Sequence, residues 1–514
     1  MVAIRAASWG WRYATRSAWA IRHLDWQVEA GERVLVLGAS GSGKSTLLAG
    51  LAGILQGDEG QAEGSLTIDG QPAASRRAPV GLVQQDPSSQ IVLERVGDEL
   101  AFGLENLALP AEHIWPLVDQ NLERVHLNVA RSRSTSALSG GQQQRLALAS
   151  VLAMTGASAD SPGIILLDEP TANLDPVGID QIHQTISNLT DPHLTWIMVE
   201  HHAEIWLDWA SRVVVFDAGR IVADGPPNAI LRQPATQATL AAAGVWAPGL
   251  ALPEDLQPLA GVDQTNQAGP KADPSDRAVV ITGAKLSIGY QAEAPIRQGL
   301  NLTITEGRST MLIGPNGAGK TTLGLTLAGL LPKLAGDLQV ANSLRPAAST
   351  RRQRRWVSDD AMALADPIRW TSPQQLTRLG TVLQNPEAQF VTSRVRDELA
   401  VGLIALGLPK QRRLARVDQL LADLHLENLA DANPFTLSGG QKRRLSVGTI
   451  LASNPAVLIL DEPTFGQDRN SWIDLVRLIS RIVDDGGTVV TITHDQRLIE
   501  LLGQDIIDLG VATP

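Results

Sequence analysis

One pattern occurs twice in this chain, in the same order, and it leaves few folds open. GASGSGKST (Gly38 to Thr46) returns as GPNGAGKTT (Gly314 to Thr322), LSGGQQQR (Leu138 to Arg145) as LSGGQKRR (Leu437 to Arg444), and LLDEPTANLD (Leu166 to Asp175) as LILDEPTFGQD (Leu458 to Asp468). A duplication on this scale means two copies of one structural unit rather than a single long domain. The offsets locate the differences between copies. Lys44 to Lys320 is 276 residues, Gln85 to Gln384 and Ser139 to Ser438 are each 299, and Asp168 to Asp461 and His201 to His494 are each 293. The second copy therefore carries 23 extra residues between its glycine loop and Gln384, and the first carries six extra in the stretch TGASADSPG. Between the copies, prolines at 248, 253, 258, 270 and 274 break any periodicity, as in an irregular tether. The expected organisation is a first unit over 1–247, a linker over 248–277 and a second unit over 278–514.

Within each copy, short continuous apolar runs alternate with helical patterns. RVLVLG, GIILLDEP and WIMVEH in the first copy, and AVLILDEP and VVTITH in the second, read as strands buried on both faces. The fold class is α/β, with a mainly parallel sheet. Hydrophobic content of 44% against 19% charge excludes wholesale disorder. No apolar run approaches the roughly 18–20 residues that span a bilayer, and the first residues lack the apolar stretch of a secretory signal, so a soluble chain is expected. Zero cysteines exclude disulfides, thiolate metal sites and cysteine nucleophiles. A net charge of −11 argues against a nucleic-acid partner.

Gly-x4-Gly-Lys-Ser/Thr between a strand and a helix is a phosphate cradle. Its glycines let successive N–H groups face one oxyanion, the lysine reaches the β- and γ-phosphates, and the hydroxyl ligates Mg²⁺. The candidate ATP-binding residues are Gly38, Ala39, Ser40, Gly41, Ser42, Gly43, Lys44, Ser45 and Thr46 in copy one, and Gly314, Pro315, Asn316, Gly317, Ala318, Gly319, Lys320, Thr321 and Thr322 in copy two. Two of only seven lysines fall here, against 36 arginines. Asp168 and Asp461 end apolar strands, where a carboxylate can hold Mg²⁺ through water, and Glu169 and Glu462 follow where a base could polarise the attacking water. In LSGGQ, a serine and two glycines open a helix and make a second anion-binding terminus: Ser139, Gly140 and Gly141, and Ser438, Gly439 and Gly440.

This combination resembles the ATP-binding cassette (ABC) ATPases, over nearly the whole chain and twice. The resemblance implies two tandem P-loop cassettes, each with a parallel-sheet core and a helical subdomain carrying LSGGQ. It also implies that the cassettes pair head to tail, the signature of one closing over nucleotide held by the glycine loop of the other. Gln85 and Gln384 resemble the Q-loop glutamine that contacts Mg²⁺ and the transmembrane partner. His201 and His494 resemble the switch histidine at the γ-phosphate, and Asp175 and Asp468 the loop that couples the sites. Tyr13 and Tyr290, the only tyrosines, precede Lys44 and Lys320 by 31 and 30 residues, where the family places the aromatic that stacks on adenine. The implied catalytic set is Glu169, His201, Glu462 and His494, and the implied Mg²⁺ set is Ser45, Gln85, Asp168, Thr321, Gln384 and Asp461.

Beyond the Q-loop glutamines, QDPSSQ and QNPEAQ, each followed by DELAxGL, resemble the energizing ATPases of energy-coupling factor importers of vitamins and transition-metal ions. There the second glutamine, Gln90 or Gln389, belongs to a short helix that contacts the transmembrane coupling subunit. The expected partners are that subunit and a separate substrate-binding membrane subunit, with the chain peripheral on the cytoplasmic face. The competing class is a dual-cassette ATPase acting on ribosomes or nucleic acid, or the ATPase of another importer or an exporter. A proline-broken linker in place of a long charged helical arm argues against the ribosomal class.

Overall fold

In the computed structural model, the described residues are 2–16, 18–75, 80–156, 163–172, 174, 176–189, 191–259, 278–354 and 364–510. They form two compact units, Met1–Ala251 with the segment Gly466–Asn470, and Leu252–Phe465 with Ser471–Pro514. Among the described residues no helix is long and apolar enough to cross a membrane.

The first unit is built on a six-stranded sheet in the order Arg220–Gly225, Arg212–Asp217, Arg33–Gly38, Thr195–Val199, Ile164–Asp168, Val80–Val83. All neighbours run parallel except the Arg220–Gly225 edge. The central strands are buried on both faces, which is why their sequences are unbroken apolar runs. A second, antiparallel sheet is formed by Val2–Tyr13, Ile21–Glu29, Gly60–Ile68 and Gln71–Pro72. Ile21–Glu29 buries Ile21, Leu24, Trp26 and Val28 while neighbouring positions are exposed, the alternation of a strand with one wet face. The sequence signals the parallel sheet through its continuous apolar runs and gives no comparable signal for this second sheet.

The first unit is rich in tryptophan. Trp206 and Trp209 meet edge to face at 5.6 Å, Trp196 and Trp209 at 6.3 Å, and His183 lies 5.0 Å from Trp206. Trp196 and Trp206 are fully buried. Trp19 lies under two guanidiniums, Arg12 at 5.6 Å and Arg22 at 5.1 Å.

The second unit repeats the plan with a five-stranded, all-parallel sheet in the order Leu379–Val382, Val457–Asp461, Thr488–Ile492, Ser309–Ile313, Asp505–Asp508. Its antiparallel sheet comprises Arg297–Thr305, Val279–Ile288 and Ala335–Val340. The helices Val395–Ala405, Lys410–Asp423 and Gly439–Leu451 close a separate apolar core around Leu399, Leu403, Leu420 and Leu445. In the first unit, Val96–Asn106, Ala111–Arg124 and Gly140–Gly156 correspond. Part of the longer segment between glycine loop and Q-loop in the second copy lies within the described residues. Gln353 and Gln374 are buried against each other at 2.8 Å, and Gln353 also donates to the Arg369 carbonyl. Of the basic run STRRQRRW, Arg355 and Trp356 lie outside the described residues, as does most of TGASADSPG.

Of the proline-broken stretch, residues 260–277 lie outside the described residues. Its residues 252–259 belong to the second unit, where Arg477 forks both oxygens of Asp255 at 2.6 and 2.8 Å and Leu259 donates to the Leu501 carbonyl.

Candidate functional site

Each glycine loop follows an interior strand of its parallel sheet, Arg33–Gly38 or Ser309–Ile313, and opens a helix, Lys44–Leu51 or Lys320–Leu327. The residues capping these helices, Gly43 at φ 106° and Gly319 at φ 91°, are left-handed, and neither helix receives a side-chain cap. The first-turn N–H groups are thus left for an anion. A Cβ on Gly43 would stand 2.8 Å from the Ala20 carbonyl oxygen, so both conformation and space demand glycine. Lys44 Nζ donates to the carbonyls of Gly38 and Ala39 at 2.7 and 2.8 Å, and Lys320 Nζ to those of Gly314 and Pro315 at 2.8 and 3.0 Å. Burial lowers the Lys44 pKa, while the carboxylates of Glu169, Asp468 and Asp168 pull it back up. Asp468, within the first compact unit, accepts from the Ser40 N–H at 3.1 Å. Its expected counterpart, Asp175, lies outside the described residues.

Beside the first loop, Ser45 Oγ lies 3.4 Å from Asp168, and Glu169 sits between two partners: His201 Nε2 at 2.8 Å and the Gln85 amide, which donates at 2.6 Å. Burial drives the Asp168 carboxyl up to about 6, with Glu169 adding to the rise. For Glu169 burial also pushes upward, but His201 and Lys44 overcome it and hold the carboxyl below its ordinary value. The second copy differs. His494 Nε2 stands 3.5 Å from Glu462 and 3.2 Å from Asn316, and no hydrogen bond joins Gln384 to Glu462 among the described residues. Burial, reinforced by Asp461, pushes Glu462 up to about 7. Both glutamates have left-handed backbones, Glu169 at φ 49° and Glu462 at φ 45°, a strained conformation for a residue with a Cβ. Their N–H groups continue the sheet ladder to Val199 and Ile492 at 2.9 Å, which holds them in it.

The donor set suits a hard cation: a hydroxyl and a carboxylate at the loop's edge in each copy. Asp461 Oδ1 is buried with no hydrogen-bond partner, and burial raises the Asp461 pKa, so the pocket disfavours an uncompensated anion. Mg²⁺ therefore fits Ser45 with Asp168, and Thr321 with Asp461.

LSGGQ folds as a capping box in the second copy: Gln441 N–H donates to Ser438 Oγ at 3.4 Å and Gln441 Oε1 accepts from the Ser438 N–H at 2.9 Å. Ser139 and Gln142 make the same pair at 3.4 and 3.0 Å. The glutamine of the motif thus fixes the serine, and Gly140, Gly141, Gly439 and Gly440 open the helix behind it. Tyr13 donates to or accepts from Thr46 Oγ1 at 3.3 Å, beneath the Arg16 guanidinium, whereas the Tyr290 ring is exposed.

Sequence reasoning missed the residues that hold these groups in place. Buried Glu200 accepts from the Thr171 N–H and hydroxyl at 3.1 and 2.6 Å. In the second copy Thr464 is held instead by Asp495, at 2.9 Å, so the anchor comes from before the histidine in one copy and after it in the other. Arg443, buried, donates to the Leu383 and Gln384 carbonyls at 2.9 and 2.6 Å, where the first copy has Gln144. The mismatched positions in the aligned repeats were the available signal.

Two phosphate cradles, each with a carboxylate pair, a histidine and a capped signature helix, define a duplicated P-loop ATPase. The family model described as ABC transporter matches residues 21–172 and 297–465, once per copy, and the chain belongs to that family as an ATPase with two fused cassettes. YkoD of Bacillus subtilis (strain 168), provisionally named an HMP/thiamine import ATP-binding protein, is 33% identical over 513 residues, covering 95% of this chain and 87% of YkoD. A provisionally named ABC transporter ATP-binding protein of Bifidobacterium longum (strain NCC 2705) is 32% identical over 98% of this chain and 64% of that longer protein. An archaeal ribosome recycling factor, aABCE1, solved with the ribosomal stalk protein aP1, superposes with a TM-score of 0.56 at 18% identity, covering 98% of this chain and 87% of that one, a likeness of fold.

Proposed function

We propose that this ATPase energises a membrane importer of the energy-coupling factor type, which takes up a vitamin or a transition-metal ion. The observation that carries the reading is that both copies keep a complete set, with Glu169 against His201 and Glu462 near His494, each beside a glycine loop. The import assignment is supported by QDPSSQ and QNPEAQ and by the name of the Bacillus subtilis relative. The chain would act peripherally at the cytoplasmic face, with a transmembrane coupling subunit and a separate substrate-binding subunit as partners.

Two composite sites follow from this reading. One uses Lys44, Gln85, Asp168, Glu169 and His201 with Ser438, Gly439 and Gly440; the other uses Lys320, Gln384, Asp461, Glu462 and His494 with Ser139, Gly140 and Gly141. The loop N–H groups and lysines cradle the phosphates, and Tyr13 and Tyr290 offer ring faces to the adenine. Glu169 and Glu462 orient and polarise the attacking water, and His201 and His494 neutralise the developing charge at the γ-phosphate. Mg²⁺, when bound, supplies neutralising charge to the phosphates. ATP binding closes the cassettes and phosphate release reopens them, moving the Q-loops that face the membrane partner.

Replacing Glu169 and Glu462 by glutamine together is expected to leave ATP binding intact and abolish turnover. Unchanged hydrolysis in that double variant sinks the assignment of the base. Co-purification from native membranes is expected to bring down integral membrane subunits; recovery of ribosomes instead would favour the competing class.

A further inference from the structure

The second glutamine of each Q-loop motif bonds to the backbone of its own chain. Gln85-Asp86-Pro87 and Gln384-Asn385-Pro386 turn sharply, the Asp86 and Asn385 side chains accepting from the N–H groups of Ser88 and Glu387 at 3.0 Å each. That turn brings the chain back along the strand it has just left. The Gln90 amide then donates to the Leu82 carbonyl at 2.6 Å and accepts from the Gln84 N–H at 3.1 Å. Gln389 donates to the Thr381 carbonyl at 3.2 Å and accepts from the Leu383 N–H at 3.1 Å, with Ser446 also donating to it. With the 299-residue offset, the two backbone bonds of Gln90 and the two of Gln389 are the same pair in the same register.

Among the described residues Val80–Val83 and Leu379–Val382 are edge strands, so their outward N–H and C=O groups have no neighbouring strand there. A primary amide presents one donor and one acceptor in the spacing of a strand, and here it pairs with backbone groups two residues apart. We propose that Gln90 and Gln389 are positioning residues: each staples the end of its edge strand and sets where the following Q-loop glutamine, Gln85 or Gln384, projects toward the candidate base. In the first copy that projection puts the Gln85 amide 2.6 Å from Glu169. The proposal rests on the reading of Gln85 and Gln384 as active-site glutamines.

The test uses the full chain without membrane subunits, assayed for ATP hydrolysis. Gln90→Glu keeps the acceptor and the length of the side chain but turns an oxygen toward the Leu82 carbonyl. It is expected to lower kcat by about tenfold, with KM for ATP within about twofold, because misplacement of a contacting group acts on the chemical step more than on binding. Gln389→Glu is expected to do the same. Combined with Gln85→Ala, Gln90→Glu is expected to add little, since the two act through one group. If Gln85→Ala lowers kcat and Gln90→Glu does not, or if their losses multiply, the staple is overturned while the Q-loop reading stands. If Gln85→Ala leaves kcat unchanged, the reading of Gln85 fails and the proposal fails with it. A Gln90→Glu chain with normal kcat that loses capture of membrane subunits would return the residue to a partner-contact role.

Discussion

Glu200 is a buried carboxyl whose ionisation bears on stability. Burial pushes its carboxyl up to about 7, against the opposing bonds from Thr171, and Glu169 adds to the rise. Between its unfolded value of 4.5 and about 7, the unfolded chain releases this proton while the folded chain keeps it. Its contribution to stability is therefore fully present below pH 4.5 and lost as pH rises through about 7. Glu200→Gln stays neutral and retains an acceptor for Thr171. Relative to the parent chain, its stability is expected to rise by roughly 1–3 kcal/mol between pH 4.5 and pH 8. Urea denaturation of both proteins across that range checks the sign, and a pH-independent difference would exclude it. In the second copy Thr493 stands where Glu200 does in the first.

At the scale of elements, each signature helix packs against an edge strand that contains a glycine. A Cβ on Gly81 would lie 2.1 Å from Val151 Cγ1, and one on Gly380 would lie 2.3 Å from Ile450 Cγ2. Gly81→Ala is expected to destabilise the first unit by about 1–3 kcal/mol through overpacking, read as a lowered urea midpoint. An unchanged midpoint would mean the helix yields at no cost. The parallel strands, glycine loops and signature helices were legible in the sequence because each is written in adjacent residues: an apolar run, a spaced Gly-Lys-Ser, a Ser-x-x-Gln cap. The antiparallel sheets were not, since their pattern of one buried face is weak against runs such as IILLD. Nor were the contacts that hold Glu169, Thr171 and Gln90. Glu169 and His201 meet across 32 positions, through strand neighbours that only the folded sheet brings together. The resemblance places Gln90 in a short helix that contacts a partner subunit; the bonds of its amide to Leu82 and Gln84 could not be read from adjacent residues.

For the whole molecule, the duplication raises the question of whether the two sites act independently. Under the head-to-tail reading, each site needs both cassettes, so disabling one phosphate cradle should stall both. Lys44→Ala or Lys320→Ala alone is then expected to leave less than about a tenth of the parent turnover, because residues that act as one unit do not contribute additively. Steady-state hydrolysis decides it: about half the parent rate in each variant would mean independent sites. The electrostatics of the copies already differ, with Glu169 held ionised by His201 and Glu462 titrating near neutrality.

The uneven distribution of indole rings has a use of its own. Nine of the twelve tryptophans precede residue 250, so the chain's intrinsic emission is largely that of the first cassette. In the second, Trp472 donates its indole N–H to Asp495 at 2.5 Å, next to His494. The protein thus carries its own optical labels, nine in one half and three in the other, of which Trp472 stands beside the candidate site, so that nucleotide arrival can be followed in the unmodified chain.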